Sequence, residues 1–590
     1  MVEAADLAFH HRQFDENLSS GDMFALFERT REAIELFPDD PVTRYLQALA
    51  VARLGEPHAA LRLYERNRVG EIESEDAAAL KGRLLKDLAV CASGAEQIDL
   101  FRQSSAAYRQ AHRLTGGYFS GVNGATTAFL AGDEREARQL AAAIARRPDI
   151  VRPNDYFAAA SGAEAMLVCG DVEAATAMFG AARRRTDASP GLVASTARQV
   201  GLIASRLSLS SDQRAALLAS VRPTPVIHYC GHMLPFGSPI EQQIAEAISA
   251  ILSESDVLVA YGSLACGADI LVAEAILARG GELHLVLPFA EEDFLKTSVS
   301  IGGREWLNRY ADLRKAASSV TFATRMRYVG DDEQFAYCSK MMMGLARLRA
   351  RIMSAEVFQL AVWDGVPPTG IAGTASDCTE WARQGGVARI VPVAPDRPTV
   401  GRAIAADGKR RPLRALRSML FADFSGFSRL EEDGVPQFLE AVMGRIASIL
   451  DRHSQAVLSR NSWGDAIYVV FTSPEEAAEI ALEIQSELSP ASLREAGLPA
   501  DGGMRMSLHH GPIFAHFDAI RGAPTFYGTE VTLAARIEPR VPVGAIYTTQ
   551  PFAAIFDPGR TDFHFEYVGK MHLAKNYGER ILYRLGTNRG

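Results

Sequence analysis

Two aspartates and two cationic residues near the C-terminus are the clearest candidates for chemistry. Asp423 ends the apolar run of LFADFSGFSRL, and Asp465 sits in the turn of NSWGDAIYVVF, just before another apolar run. Carboxylates placed this way can hold divalent cations. A pair of cations can stabilise the attacking and leaving oxygens of an in-line displacement at phosphorus. Gly464 lets the backbone turn tightly beside Asp465. Developing negative charge needs cationic donors, and the candidates are Arg536 in GTEVTLAARI and Lys575 in HLAKNYGERILYRL. Each residue also has a plain reading: the aspartates as turn residues, Arg536 as a helix-surface residue, Lys575 as part of a solvated turn.

Both aspartates in order, followed by RMSLHHGPI and YGTEVTLAARI, resemble the class III nucleotidyl cyclases, whose corresponding motifs run R-I-G-I-H-x-G and G-x-x-V-N-x-A-A-R-I. The resemblance covers residues 412–590. It implies an α+β, ferredoxin-like domain with a mostly antiparallel sheet, turning a nucleoside triphosphate into a 3′,5′-cyclic nucleotide and pyrophosphate. It also implies a ligand set for two Mg²⁺ or Mn²⁺ ions: Asp423, Asp465 and the backbone carbonyl of Phe424. Arg536 falls on the family's transition-state arginine and Lys575 on its triphosphate-binding lysine. Sites of this class form between two cyclase domains and this chain has one, so the resemblance implies a homodimer with two composite sites.

Two positions depart from the family pattern. Its asparagine four residues before the arginine is Thr532 here, a shorter group with less reach to the ribose. At the base-reading pair, adenylate cyclases usually carry lysine and guanylate cyclases glutamate, where this chain has Asn461; the partner position is Thr525, a residue also seen in bacterial adenylate cyclases. An amide both donates and accepts, so adenine, guanine and even a pyrimidine stay open, with ATP favoured because adenylate cyclases are the commoner members. A cyclase-like regulator that binds nucleotide without turnover also stays open.

Upstream, over residues 223–393, short apolar runs (PVIHYCG, DVLVAYGS, LHLVLPF, VFQLAVWDG, VARIVPV) alternate with helical stretches. This pattern predicts a doubly wound parallel sheet. YGSLACGADILVAEAILARGGELHLVLPF resembles the Rossmann-like superfamily of DNA-processing proteins and cytokinin-activating phosphoribohydrolases, the SLOG domains. Gly262, Ser263, Gly267 and Asp269 carry that loop. A later turn in WDGVPPTGIAGTASDCTEWA resembles the superfamily's G-G-T-A turn, with Gly370, Gly373 and Thr374 as its lining. Backbone N–H groups at such turns, aimed by a helix N-terminus, bind phosphate. The resemblance therefore implies a nucleotide-derived effector. No catalytic glutamate is placed, so a sensor is favoured over a hydrolase of nucleotide glycosidic bonds, which remains the other reading.

Residues 1–220 are rich in Ala, Leu, Arg and Glu and read as helices. Gly55, Gly94, Gly132 and Gly170 recur at gaps of 39, 38 and 38 residues, a period that means stacked helical hairpins. LQALAVARLGEPHAALRLYE resembles a tetratricopeptide repeat, though the period is longer than usual. Such a module either binds a protein partner or inhibits in cis, or it is simply a packing domain. Residues 394–411, rich in Pro, Gly and charge, read as a linker.

Composition narrows the function classes. The 590 residues carry a formal net charge of −9, which gives no basic surface for wrapping nucleic acid. Six scattered cysteines (Cys91, Cys169, Cys230, Cys266, Cys338, Cys378) show no zinc-ligand spacing in sequence and suit a reducing compartment. No run is long and apolar enough to span a membrane, and no signal pattern opens the chain. The expectation is a cytoplasmic signalling enzyme.

Overall fold

The computed structural model describes the chain apart from residues 1, 21–22, 54–56, 189, 329, 331, 354, 401–413, 499–501, 521, 557–559, 561, 574–577 and 588–590. Helical hairpins fill the N-terminal region. Tyr118–Leu130 turns into Glu134–Ala145, and Tyr156–Cys169 into Val172–Arg183. Gly132 and Gly170 make these turns at φ +92° and +94°, a conformation open to glycine at no steric cost. The first helix of each hairpin is lined with small residues and buries almost all of its length. Gly55 lies outside the described residues.

The middle region holds a sheet whose pairs are all parallel. Its strands are β1 (Val226–Gly231), β2 (Val259–Gly262), β3 (Glu282–Leu287), β4 (Ser319–Phe322), β5 (Val357–Trp363) and β6 (Ala388–Pro392). Among the described residues they run in the order β4-β3-β2-β1-β5-β6. The direction of winding reverses between β1 and β5, and in open α/β sheets ligands bind outside the carboxyl ends of the strands at such a point. The apolar runs of the sequence account for five of these strands.

The C-terminal sheet is mostly antiparallel, as expected. Its strands are β7 (Arg414–Ser425), β8 (Val457–Trp463), β9 (Ala466–Phe471), β10 (Gly503–Asp518), β11 (Ala523–Tyr527), β12 (Ile546–Thr549), β13 (Phe563–His572) and β14 (Glu579–Thr587). The order is β13-β14-β12-β10-β7-β9-β8, with β11 paired to β10 and β10–β12 the parallel pair among the described residues. Strand β7 is therefore central, flanked by β9 and β10.

One helix joins the two sheets. Glu333–Met353 packs Ala346, Ala350 and Met353 against Val226 and Val259 of the parallel sheet. Its Tyr337, Met341, Leu345 and Leu348 belong to one core with Leu420, Phe552 and Ala554 of the C-terminal region. Tyr337 donates its hydroxyl to the His510 carbonyl at 2.8 Å. At Gly344 the helix comes so close to the Gln550–Ile555 helix that a Cβ would fall on the Ala554 carbonyl. The N-terminal helices meet the C-terminal region too: Leu26, Leu46 and Tyr64 share a core with Leu533, Ile537, Tyr547 and Leu582.

Residues 394–400 are not a free connector. Arg397 reaches back to pair with Asp364 at the end of β5, and both side chains are almost fully buried.

Gly344→Val should cost about 1–3 kcal/mol through overpacking against backbone. Gly191→Ala, on an N-terminal helix with open space around it, should be near neutral. Denaturant unfolding of the two variants beside wild type checks this; equal midpoints would mean the close approach is not a real constraint.

Candidate active site and ligand cleft

Strand β7 alternates buried and half-exposed positions, so Phe424 points into the core while Asp423 points out of it. Phe424 packs edge-on to Phe438, with ring centroids 5.1 Å apart. In register, Asp423 lies between Ala466 of β9 and Arg505 of β10. The β8–β9 hairpin turns at Gly464, φ +63°, which sets Asp465 one residue before Ala466 and so beside Asp423. The two carboxylates are within hydrogen-bonding reach. Partial burial, then the charge of Asp423, raises the pKa of Asp465.

Two further groups complete this cluster. Arg505 forms an ion pair with Asp423 and lies 3.2 Å from Glu538. Burial pushes Glu538 up to about 7, with the charges of Asp423 and Asp465 adding to the effect against Arg505. Sequence reasoning passed over both. The signal for Arg505 was present, since it opens the RMSLHHGPI strand, but its role follows from a strand register that local pattern does not give.

The short helix Thr529–Ala535 carries the remaining candidates. Thr532 donates its hydroxyl to the Gly528 carbonyl at 3.5 Å, within its own helix. Arg536 caps the helix C-terminus, and its buried Nε has no partner among the described residues. No hydrogen bond or ion pair joins Arg536 to Asp423 or Asp465 among the described residues. Asn461 lies on β8 opposite Tyr468, and Thr525 is buried on β11, which touches β8. Lys575 lies outside the described residues.

The same helix is tied to the middle region. Glu530 accepts from His509 Nε2 at 2.9 Å and from the Thr324 hydroxyl at 3.3 Å, while His509 Nδ1 meets Thr549 Oγ1 at 2.7 Å. These groups are all buried. A fully bonded buried network of this kind fixes one arrangement.

The second site is a cleft of about 500 Å³ at the carboxyl ends of β1, β2 and β5, where the winding reverses. Ser263, Asp269, Gly373 and Thr374 line it. The Ser263 hydroxyl is buried without a partner among the described residues. Burial raises Asp269 to about 7, although it accepts from the Ala265 N–H at 3.2 Å. Thr374 opens the Thr374–Arg383 helix after Gly373 at φ +104°. Cys338, Ser339 and Met342 of the helix shared by both sheets form another wall.

Three of the predicted loop residues take other roles. Gly267, at φ +99°, bridges to Met233, and a Cβ there would strike the Leu234 backbone, so a close chain approach requires glycine here. Gly262 leaves room for the Tyr229 ring. Gly370 is exposed away from the cleft lining, and its carbonyl accepts from the Ser376 hydroxyl at 2.7 Å.

Comparison with known proteins adds the following. No curated protein matches the chain. Among solved structures, the chain is similar to the guanylate cyclase domain of RhGC from Catenaria anguillulae in complex with GTP (19% identity, 29% of this chain and 96% of that one, TM-score 0.25). It is similar also to the adenylyl cyclase CyaB from P. aeruginosa (18%, 30% and 96%, TM-score 0.26) and to an adenylate cyclase from Trypanosoma brucei (18%, 30% and 92%, TM-score 0.26). Residues 21–128 match the family described as Tetratricopeptide Repeats-Sensor. Residues 416–586, the stretch that brings Asp423, Asp465 and Arg505 together, match the adenylate and guanylate cyclase catalytic domain.

Proposed function

We propose that the C-terminal domain converts a nucleoside triphosphate, ATP by preference, to its 3′,5′-cyclic nucleotide and pyrophosphate, under control of the two upstream modules. The observation that carries this is the pair Asp423 and Asp465, set side by side at adjoining strand ends within a segment matching a cyclase family.

The donor set fits divalent cations. Burial first, and then the charge of Asp423 beside it, raises the pKa of Asp465, and the Arg505 guanidinium supplies positive charge to Asp423. Asp423 and Asp465 would hold Mg²⁺ or Mn²⁺, with the Phe424 carbonyl as a further ligand. Bound there, the cations would stabilise the attacking 3′-oxygen and the leaving pyrophosphate. Arg505 steadies Asp423 from the neighbouring strand. Arg536 would stabilise charge on the transferred phosphorus, and Lys575 would bind the triphosphate. The lack of any polar link from Arg536 to the carboxylates of its own chain, among the described residues, supports a composite site in which each copy of a homodimer serves the other. Asn461 and Thr525, on touching strands, would read the base.

Control has a physical route. The helix Glu333–Met353 is at once a wall of the cleft and part of the core of the cyclase region, so a nucleotide-derived effector in the cleft would press on that core. The helix bearing Thr532 and Arg536 is held from one side by Thr324 through Glu530, and from another by the N-terminal helices through Leu533. An effector shifts activity only by its different affinity for the two states. A second reading, nucleotide binding without turnover, is favoured by the Thr532 hydroxyl, which is turned back onto its own helix. Incubation with Mn²⁺ and each of the four ribonucleoside triphosphates, with product identification, separates the two; absence of every cyclic product from the folded protein leaves the second reading.

Asp423→Ala should abolish turnover, and Arg536→Ala should lower it about 10²–10³-fold. Mixing the two impaired variants should raise activity well above either alone, through one intact site per heterodimer. No recovery, once subunit exchange is verified, would place the whole site in one chain.

The base pocket lacks a charge, so wild type should prefer ATP yet turn over GTP measurably. Asn461→Lys should sharpen the preference, because an ammonium donates to the adenine ring nitrogen that bears a hydrogen in guanine. The kcat/KM ratio for ATP over GTP, compared in wild type and variant, is the measurement. An unchanged ratio would remove Asn461 from base reading.

Thr374→Glu places a carboxylate where a phosphate would meet the helix N-terminus, so the response of cyclase rate to a cleft nucleotide should vanish while basal rate stays. Undiminished nucleotide binding outside the cyclase domain in this variant would show that the cleft is not the sensor.

A further inference from the structure

Below the cleft floor lies a buried polar cluster that the proposed function does not use. His228 and Cys230 are two residues apart on β1 and face the same side of the sheet. The Thr374–Arg383 helix covers that side, with Asp377 and Cys378 on its inner turn and Trp381 5.9 Å from the His228 ring. One potential ligand atom each from His228, Cys230 and Asp377 lies within 4.8 Å of the others, and all three residues are buried.

The surroundings of His228 suit a metal ligand. Its Nδ1 meets the Tyr261 carbonyl at 3.4 Å, an arrangement in which Nδ1 carries the proton and Nε2 keeps a lone pair. That Nε2 is buried and has no partner among the described residues. Leaving such an acceptor unmet is unfavourable, because its desolvation is not compensated. A backbone carbonyl fixing one ring nitrogen leaves the other to bind a metal, the usual arrangement of a metal-binding histidine. Across the sheet in register, Gln359 Oε1 is also buried without a partner. Cys378 packs against Cys230 in the same buried cluster. A bound cation would displace the Cys230 thiol proton to solvent and take the thiolate.

We propose that His228, Cys230 and Asp377 form a zinc site in the floor of the cleft, with one coordination position open toward it. Imidazole, thiolate and carboxylate together suit Zn²⁺, and three protein ligands leave a fourth position for water or a ligand oxygen. Cys230 and Asp377 both line the cleft, so that position faces the space where an effector would enter. The ligands come from a strand and from a helix far away in sequence, so no C-x-x-C or H-x-x-x-H spacing marks them.

The test is zinc content per chain in the full-length protein, purified reduced and passed over a weak chelating resin. Near-stoichiometric zinc is expected in wild type, in Cys91→Ser (an exposed cysteine) and in Asp423→Ala, which separates this site from the cyclase cations. Zinc should fall about tenfold or more in His228→Ala and Cys230→Ser. Should those two variants fail to fold, cobalt loaded onto the folded Cys91→Ser chain decides. Thiolate-to-cobalt charge-transfer absorption is expected there, and bound cobalt without that absorption overturns the proposal. It is overturned equally by a folded, reduced wild type that holds no zinc, or by a Cys230–Cys378 disulfide in place of the metal.

Discussion

The close approach of Gly344 to the Ala554 carbonyl is the constraint on which the arrangement of the chain rests. It brings two helices nearer than any side chain would allow, and so lets one helix belong to two hydrophobic cores. On one side Ala346, Ala350 and Met353 meet the parallel sheet; on the other Tyr337, Met341 and Leu345 meet the antiparallel one. Interiors packed at crystal density transmit displacement rather than absorb it. A change in the cleft wall at Cys338, Ser339 or Met342 is therefore a change in the packing beneath β7 and β10, the strands that present Asp423 and Arg505.

Electrostatics at the two sites follow one logic. At the strand ends, Asp423, Asp465 and Glu538 crowd together, and Arg505 offsets part of their repulsion. In the cleft, Asp269 is buried with backbone N–H groups as its donors, and the Ser263 hydroxyl is buried without a partner among the described residues. Both places hold polar groups at a cost that the surrounding fold must cover, and such groups cluster where a ligand is to be bound.

Much of this was legible from local pattern. The short apolar runs announced β1, β2, β3, β5 and β6, and the aspartate motifs announced the adjoining strands that bring Asp423 and Asp465 together. The two glycine turns of the N-terminal hairpins lie where the repeat placed them. Other features were hidden for definite reasons. Strand β4 is four residues long and begins with a half-polar stretch, SVTF, at a sheet edge. The helix Glu333–Met353 is buried on two sides, so its apolar residues go round it and leave no single stripe to recognise. Arg505 and Glu538 act through register and tertiary approach, which spacing alone does not encode. Gly267 looked like a ligand-contacting glycine, yet its positive φ serves contact with the 232–234 backbone. A glycine that admits a neighbouring chain and one that admits a phosphate look alike in sequence.

The helix shared by both cores also bears on how this chain can vary over evolutionary time. Modules joined by a flexible tether drift independently and can be exchanged whole, because nothing in one constrains side-chain volume in the other. Here a larger residue on the cleft side of the helix shifts a backbone already in contact with Ala554, and the opposite face must answer it. Substitutions lining the cleft and substitutions under the catalytic strands should therefore arrive in matched sets. The middle and C-terminal regions would be inherited as one unit, and a new cleft lining could be acquired only along paths that keep the far side of that helix in register.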